Sequence, residues 1–281
     1  MLNIKKIIAL IIVTLLVVIF SFPTIFTMLN SFMSEREINN SYDIESEKIE
    51  FITMKLIPEE VTIEQYYSLF IKNNMYFNMF WNSILIVLPI TLGQVVVSLM
   101  ASYAFHISKL KWKEHLFFVY IVVMLMPIHV TLVPNYIIAD KLNLIGSYLS
   151  IIFPGIFNTY GVFLLRQYMK KIPKSYIEAA RIDGASTLGI FIKIVAPLCK
   201  TAIVALAILT FIDNWNMVEQ PIVFLKEEYK QPLSTYLYAI NQNEKGVAFA
   251  ASFFYMIPML LMFLYCGKYL TEGIKDSGNK G

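Results

Sequence analysis

The sequence predicts an all-α fold, a polytopic membrane helix bundle of six transmembrane helices, and three observations carry that expectation. Of its 281 residues 57% are hydrophobic and only 15% are charged, against ~25% charged in ordinary globular domains. Mean hydropathy is +0.62. Six segments approach the ~20 apolar residues that a bilayer core requires of a helix, and the connections joining them alternate between basic and acidic.

The first span covers residues 7–28, behind Lys5 and Lys6. Its length exceeds the 7–15-residue core of a signal peptide and no small-residue cleavage pattern follows, so it reads as a retained helix. The connection after it, Leu29 to Trp81, is rich in glutamate: Glu35, Glu37, Glu45, Glu47, Glu50, Glu59, Glu60 and Glu64. The second span, 82–105, leads into Lys109, Lys111 and Lys113, and the third covers 116–138. The fourth, 147–165, is followed by Arg166, Lys170, Lys171, Lys174, Arg181 and Lys193. After the fifth, 201–217, come Glu219, Glu227, Glu228 and Glu244; the sixth, 247–266, ends before Lys268, Lys275 and Lys280. Because short cytoplasmic loops concentrate Lys and Arg, both termini are expected in the cytoplasm, with one transmembrane domain over residues 1–281.

The same features exclude several functions. The net charge of +3 is divided among separate connections and forms no stripe, so nucleic acid is not an expected partner. Two cysteines, Cys199 and Cys266, near span ends, suggest apolar fillers rather than a disulfide framework or metal site. There is no phosphate-binding G-x-x-x-x-G-K-[ST], no H-E-x-x-H and no G-x-S-x-G, and the only histidines are His106, His115 and His129. No catalytic residue, metal or cofactor is therefore expected. Ionisable groups near the spans, His106, His129, Asp140 and Asp213, fall close to span ends, which disfavours an ion-coupled carrier. Prolines inside spans (Pro89, Pro127, Pro134, Pro154, Pro258) free backbone carbonyls that neighbours must satisfy, as in helices packed around a pathway, although kinked bundles without one use them too.

One stretch stands apart. In "SYIEAARIDGAST", Ser175 to Thr187, a glutamate, an arginine and an aspartate lie within six residues among alanines. Pro173 suits a first helical turn, Lys174 to Asp183 can continue it, and Gly184 offers a left-handed cap. Ile177 and Ile182 fall ~140° apart on the helical wheel, so the segment lacks the single apolar stripe of a membrane-surface helix. Ala179, Asp183, Tyr176 and Ala180 share a face, with Glu178 and Arg181 on its flanks. Small residues let another backbone approach, which suits a helix seated in a protein groove; a solvated loop is the plainer alternative.

"EAARIDGASTLGIFIKIVAP", Glu178 to Pro197, resembles the EAA motif of bacterial ABC importer permeases: EAA, three residues, Gly, nine residues, then I-x-L-P. Glu178, Ala179, Ala180, Gly184, Ile194 and Pro197 match, and Ala196 replaces the leucine. "ASYAFHISK", the run from "MPIHVTLVPNYIIADKLNLIGSYLSIIFPGIF" through "GVFLLRQYMKKIPKSYIEAARIDGAS", and "YLTEGIKDSGNKG" extend the likeness to the carbohydrate-uptake, maltose-type second permeases over nearly the whole chain. The resemblance implies a coupling region at residues 173–197, in which Glu178, Ala179, Ala180 and Gly184 dock in a cleft of a cytoplasmic ATPase subunit, with Arg181 and Asp183 at the rim. It also implies a second permease, a dimer of ATP-binding subunits that hydrolyse ATP, an extracellular solute-binding protein and surrounding membrane lipid. Two departures, Trp215-Asn216-Met217-Val218 where many relatives read W-N-D-F and His106 where an arginine is common, weaken any transfer of substrate. A non-sugar solute therefore stays open. Asn135, Tyr136, Asn158, Tyr160, Trp215 and Asn216 are the candidate pathway residues, since aromatic faces and amides hold sugars; interfacial anchoring and helix–helix bonding are the plainer roles for such residues.

Overall fold

The computed structural model describes residues 4–42, 55–72, 75–240 and 244–278, with side chains described as far as Tyr269. Glu45, Glu47, Glu50 and Lys280, used in the charge reading, lie outside these residues, as does the side chain of Lys275. Among the described residues the one β pairing is an isolated antiparallel bridge between Met33 and Val61. Everything else regular is helical, as expected.

In chain order the helices are α1 (Ile4–Asn30), α2 (Glu35–Tyr42), α3 (Met75–Ile107), α4 (Lys113–Met124) and α5 (Ile128–Lys141). Then come α6 (Leu149–Ile156), α7 (Thr159–Met169), α8 (Lys174–Ile182), α9 (Thr187–Leu198) and α10 (Lys200–Trp215). The last are α11 (Glu219–Phe224), α12 (Leu233–Ala239) and α13 (Lys245–Gly278). Four stretches are long and apolar enough to cross a membrane: α1, α3, Leu149–Met169 and Lys245–Tyr269. The count reaches six if the bent pairs α4/α5 and α9/α10 are each one span.

Over the expected third span, 116–138, the chain forms two helices at 98°. Pro127 causes the break: it has no N–H to donate, and its ψ of 143° is extended rather than helical. α10 begins at Lys200, after a 74° bend from α9 at Cys199. Just before that bend Pro197 cannot bond the carbonyl of Lys193, and the backbone from Phe191 to Val195 loosens into a π-turn.

The chain divides into two compact units, each described by itself. The first comprises Met1–Asn78 and Tyr236–Pro258. Its polar node is Glu37, buried at 8% exposure, which accepts from Lys55 Nζ at 3.0 Å and from the Glu59 N–H at 2.9 Å. Phe70 packs edge-on against Phe254 at 4.6 Å and against Tyr76 at 5.6 Å, and Tyr76 donates to the Ala251 carbonyl at 3.2 Å.

The second unit comprises Met79–Thr235 and Met259–Gly281. One of its buried clusters joins Ile86, Ile90, Ile151, Ile152, Phe224 and Leu225. Beside it, the Asn82 side chain donates to the carbonyls of Tyr229 (2.7 Å) and Gln231 (3.0 Å) and accepts from Tyr148 Oη at 2.7 Å. These bonds tie the middle of the acidic fifth connection to α3. In the middle of the unit Leu165, Ala202 and Leu206 form a second cluster. There α7 approaches α3 so closely that a Cβ at Gly161 would lie 2.3 Å from Ser98 Oγ. A third cluster, Tyr103, Met169, Ile172, Ile177, Ala180, Ile190, Val195 and Cys199, holds α8 and α9 against the end of α3.

Candidate coupling surface and pathway cavity

α8 is built by its ends. Pro173 stands one residue before it, with φ −60° and ψ 131°, so the chain enters the helix extended. At the other end Gly184 takes φ +80°, a conformation that costs a residue with a Cβ ~1–2 kcal/mol. The Gly184 N–H reaches the Arg181 carbonyl at 3.1 Å and the Ala185 N–H reaches back to Ala180 at 2.9 Å, satisfying carbonyls that the last turn would leave open. The expected cap is thus present.

The two sides of α8 differ. Ile177 and Ala180, three residues apart, are buried among Ile172, Ile190 and Tyr103. Tyr103 Oη also donates to the Thr187 carbonyl at 3.1 Å, clamping the start of α9. The opposite side exposes Tyr176 and Ala179, together with Ile182 at 87% exposure. Glu178, Arg181, Asp183 and Gly184 are exposed as well. Ala180, grouped by the sequence with Ala179, faces inward because it follows Ile177 by one i+3 step. Five of the six named coupling residues therefore lie on the surface, and Ala180 anchors them.

A cavity of about 620 Å³ lies within the second unit. Asn135 (α5), Asn158 and Tyr160 (α7) line it, and α3 and α10 add Gln94, Thr210, Asp213 and Asn214. The position of Tyr160 is set by Asn158, whose side-chain oxygen caps α7 by accepting from the Tyr160 N–H at 2.9 Å. Asn214 donates to the Thr210 carbonyl at 2.7 Å. The Thr210 hydroxyl, 3% exposed as a residue, has no hydrogen-bond partner among the described residues. Met124, Met126 and Phe157 give the wall apolar patches. Chemically, the lining offers amides, hydroxyls, one carboxylate and two aromatic rings.

Residues 94–269 match the family described as "Binding-protein-dependent transport system inner membrane component". The chain belongs to that family. The permease is 30% identical over 233 residues to the arabinooligosaccharides transport system permease protein AraQ of Bacillus subtilis, with 82% of this chain and 83% of that one covered. It is 28% identical over 204 residues to the sn-glycerol-3-phosphate transport system permease protein UgpE of Pectobacterium atrosepticum, covering 71% and 73%. Its fold is like that in a crystal structure of a bacterial ABC transporter involved in import of the acidic polysaccharide alginate: TM-score 0.78, 20% identity, 95% of this chain and 96% of that one. The permease is thus an inner-membrane, multi-pass helical protein of binding-protein-dependent ABC transport.

Of the six expected pathway residues, Asn135, Asn158 and Tyr160 line the cavity together. Tyr136 instead stacks on Phe224 at 6.0 Å, within the cluster of α3, α6 and α11. Trp215 is fully buried, stacked on Phe211 at 5.3 Å and edge-on to Phe80 at 5.9 Å. Asn216 bonds the Ile212 carbonyl at 2.8 Å and reaches Met259 Sδ at 3.7 Å. Gln94 and Thr210 were not expected in the lining of this permease from the sequence, and Asp213 was named there only as an ionisable group near a span end. Helical spacing held a signal for two of them, since Thr210, Asp213 and Asn214 are three and four residues apart on one helix.

Proposed function

We propose that this permease, with a second permease, forms the translocation pathway of an ATP-binding-cassette importer for a neutral sugar or oligosaccharide, driven by a separate cytoplasmic ATPase dimer. The carrying observation is the cavity between membrane helices, whose lining suits hydroxyl-rich solutes. Amides and hydroxyls from five helices converge there beside Tyr160. Its lining includes Asp213 and no lysine, arginine or histidine. A phosphate ester or uronate would meet a like charge with no countercharge from this chain, at a cost that grows as water is excluded. Among the solutes in the relatives' names, an arabinooligosaccharide suits the site better than sn-glycerol-3-phosphate.

The exposed side of α8 is the docking surface for the ATPase in this reading, with Tyr176, Ala179 and Ile182 entering a groove and Glu178, Arg181 and Asp183 at its rim. The basic connections and both termini are cytoplasmic. The fifth connection, where Tyr229 is 62% exposed, is external and meets the solute-binding protein. Uptake of labelled arabinooligosaccharide and of sn-glycerol-3-phosphate into vesicles holding the assembled transporter tests the proposal. The expected result is ATP-dependent, ionophore-insensitive uptake that favours the oligosaccharide. Uptake driven by an ion gradient without ATP would replace the reading with an ion-coupled carrier, and preference for the phosphate ester would overturn the neutral substrate.

A further inference from the structure

A second polar feature lies apart from the pathway cavity, where the end of α3, the start of α4, the end of α7 and the start of α8 meet. Two adjoining clefts, of about 340 and 160 Å³, share His106, Lys113 and Lys174. Lys109 and Arg181 line the larger, Lys170 and Arg166 the smaller. Six lysines and arginines thus face two carboxylates, Glu114 and Glu178.

Arg166 forms the floor. Its side chain is 2% exposed, its guanidinium carbon lies 3.7 Å from the centre of the Phe117 ring, and Nη2 donates to Glu114 Oε1 at 2.6 Å. Nη1 is buried and has no hydrogen-bond partner among the described residues. A buried cationic N–H without an acceptor is costly, and an oxyanion entering the cleft would supply the acceptor. Arginine and lysine together suit phosphate: a planar fork for paired oxygens beside mobile point charges.

What borders the cleft indicates the source of that phosphate. α4 is buried only at Phe117 and exposes Leu116, Phe118, Val119 and Val122, while Trp112, immediately before it, is 70% exposed. That is an interfacial anchor at the head of a helix with an apolar outer face, the arrangement in which acyl chains lie along the helix and a headgroup sits at its end.

We propose that the α3/α4/α7/α8 cleft binds the phosphate of an anionic phospholipid headgroup, held by Lys113, Lys170 and Lys174 above Arg166. The bound headgroup bridges the first turn of α4 and the first turn of α8, so it steadies the exposed helix that carries the EAA residues. The cleft depends on the membrane location of the chain and not on which solute is carried.

The test places the purified transporter assembly in nanodiscs of phosphatidylcholine alone or mixed with phosphatidylglycerol, and counts retained lipid by native mass spectrometry. Retention of phosphatidylglycerol over phosphatidylcholine is expected, with affinity about tenfold weaker in the Lys113→Gln/Lys170→Gln double variant. These lysines are exposed or half-exposed; if the double variant fails to assemble, the unaltered assembly decides through the two lipids and through added inorganic phosphate. No preference for phosphatidylglycerol, equal retention by an assembled double variant, or displacement of the lipid by inorganic phosphate would overturn the proposal. So would loss of the ATP-binding subunit with lipid retention intact, which would make the cleft a protein contact.

Discussion

α8 and the pathway cavity are both candidate sites in one unit of the permease, yet they are constructed in opposite ways. α8 is a single nine-residue helix between a proline and a positive-φ glycine, and most of its named residues are on the surface. The cavity draws its polar groups from α3, α5, α7, α10 and α11, with the bend at Pro127 at its border. A surface written in consecutive residues changes when one of them changes. A cavity assembled from distant segments depends first on the packing that brings those segments together.

The widest separation comes from Trp215 and Asn158, both read from sequence as pathway residues. Trp215→Ala empties a fully buried aromatic site and should cost about 3–5 kcal/mol, seen as a loss of folded protein in detergent. Asn158→Ala should reduce uptake with a far smaller change in thermal stability. Comparable unfolding in both variants would erase the distinction between packing and pathway.

Within α8 the same contrast lies between neighbours. Ala180→Trp must force bulk into the Ile177 and Ile190 cluster and should destabilise the chain by about 1–3 kcal/mol. Ala179→Trp, on the exposed side, should leave insertion and stability unchanged while abolishing co-purification of the ATP-binding subunit. Gly184→Val should cost ~1–2 kcal/mol at the positive φ and weaken capture through a frayed end. A smaller effect is expected at Asp213: Asp213→Asn should raise uptake of sn-glycerol-3-phosphate relative to oligosaccharide a few-fold at most.

The smallest effect belongs to Glu37 in the other unit. Burial alone would push its carboxyl up, but the Glu59 N–H and the Lys55 ammonium hold it below its ordinary value of 4.5. A carboxylate with a lowered folded pKa stabilises above its unfolded value, and the contribution disappears as pH falls through the folded one. Hydrogen exchange of the α2 amides should therefore be protected from neutral pH down to about 4.5 and lose protection below. Glu37→Gln should flatten that dependence.

Much of α8 was legible in the sequence because its determinants are local: Pro173, Gly184 and the alanine spacing lie within a dozen residues. The inward turn of Ala180 was not, since Ile172, Ile190 and Tyr103, which cover it, come from other segments. Helix positions followed from hydropathy, while the breaks in α4/α5 and α9/α10 required knowing that Pro127 ends a helix and that Pro197 loosens one. Composition favours aromatic residues as sugar contacts, but Trp215 and Tyr136 bury more apolar area inside their clusters than at a wet wall. Of the polar cavity residues not named as pathway candidates, Thr210, Asp213 and Asn214 share one helix, while Gln94 joins them only through tertiary packing.

The central claim is that the outward side of α8 contacts the ATP-binding subunit and the inward side does not. A photo-crosslinking amino acid placed at Ile182, and separately at Ile177, in the assembled transporter tests this directly. A crosslinked adduct with the ATP-binding subunit is expected from position 182 and none from position 177. Adducts of equal yield from both positions, or none from position 182 in an assembly that retains ATP hydrolysis, would contradict it.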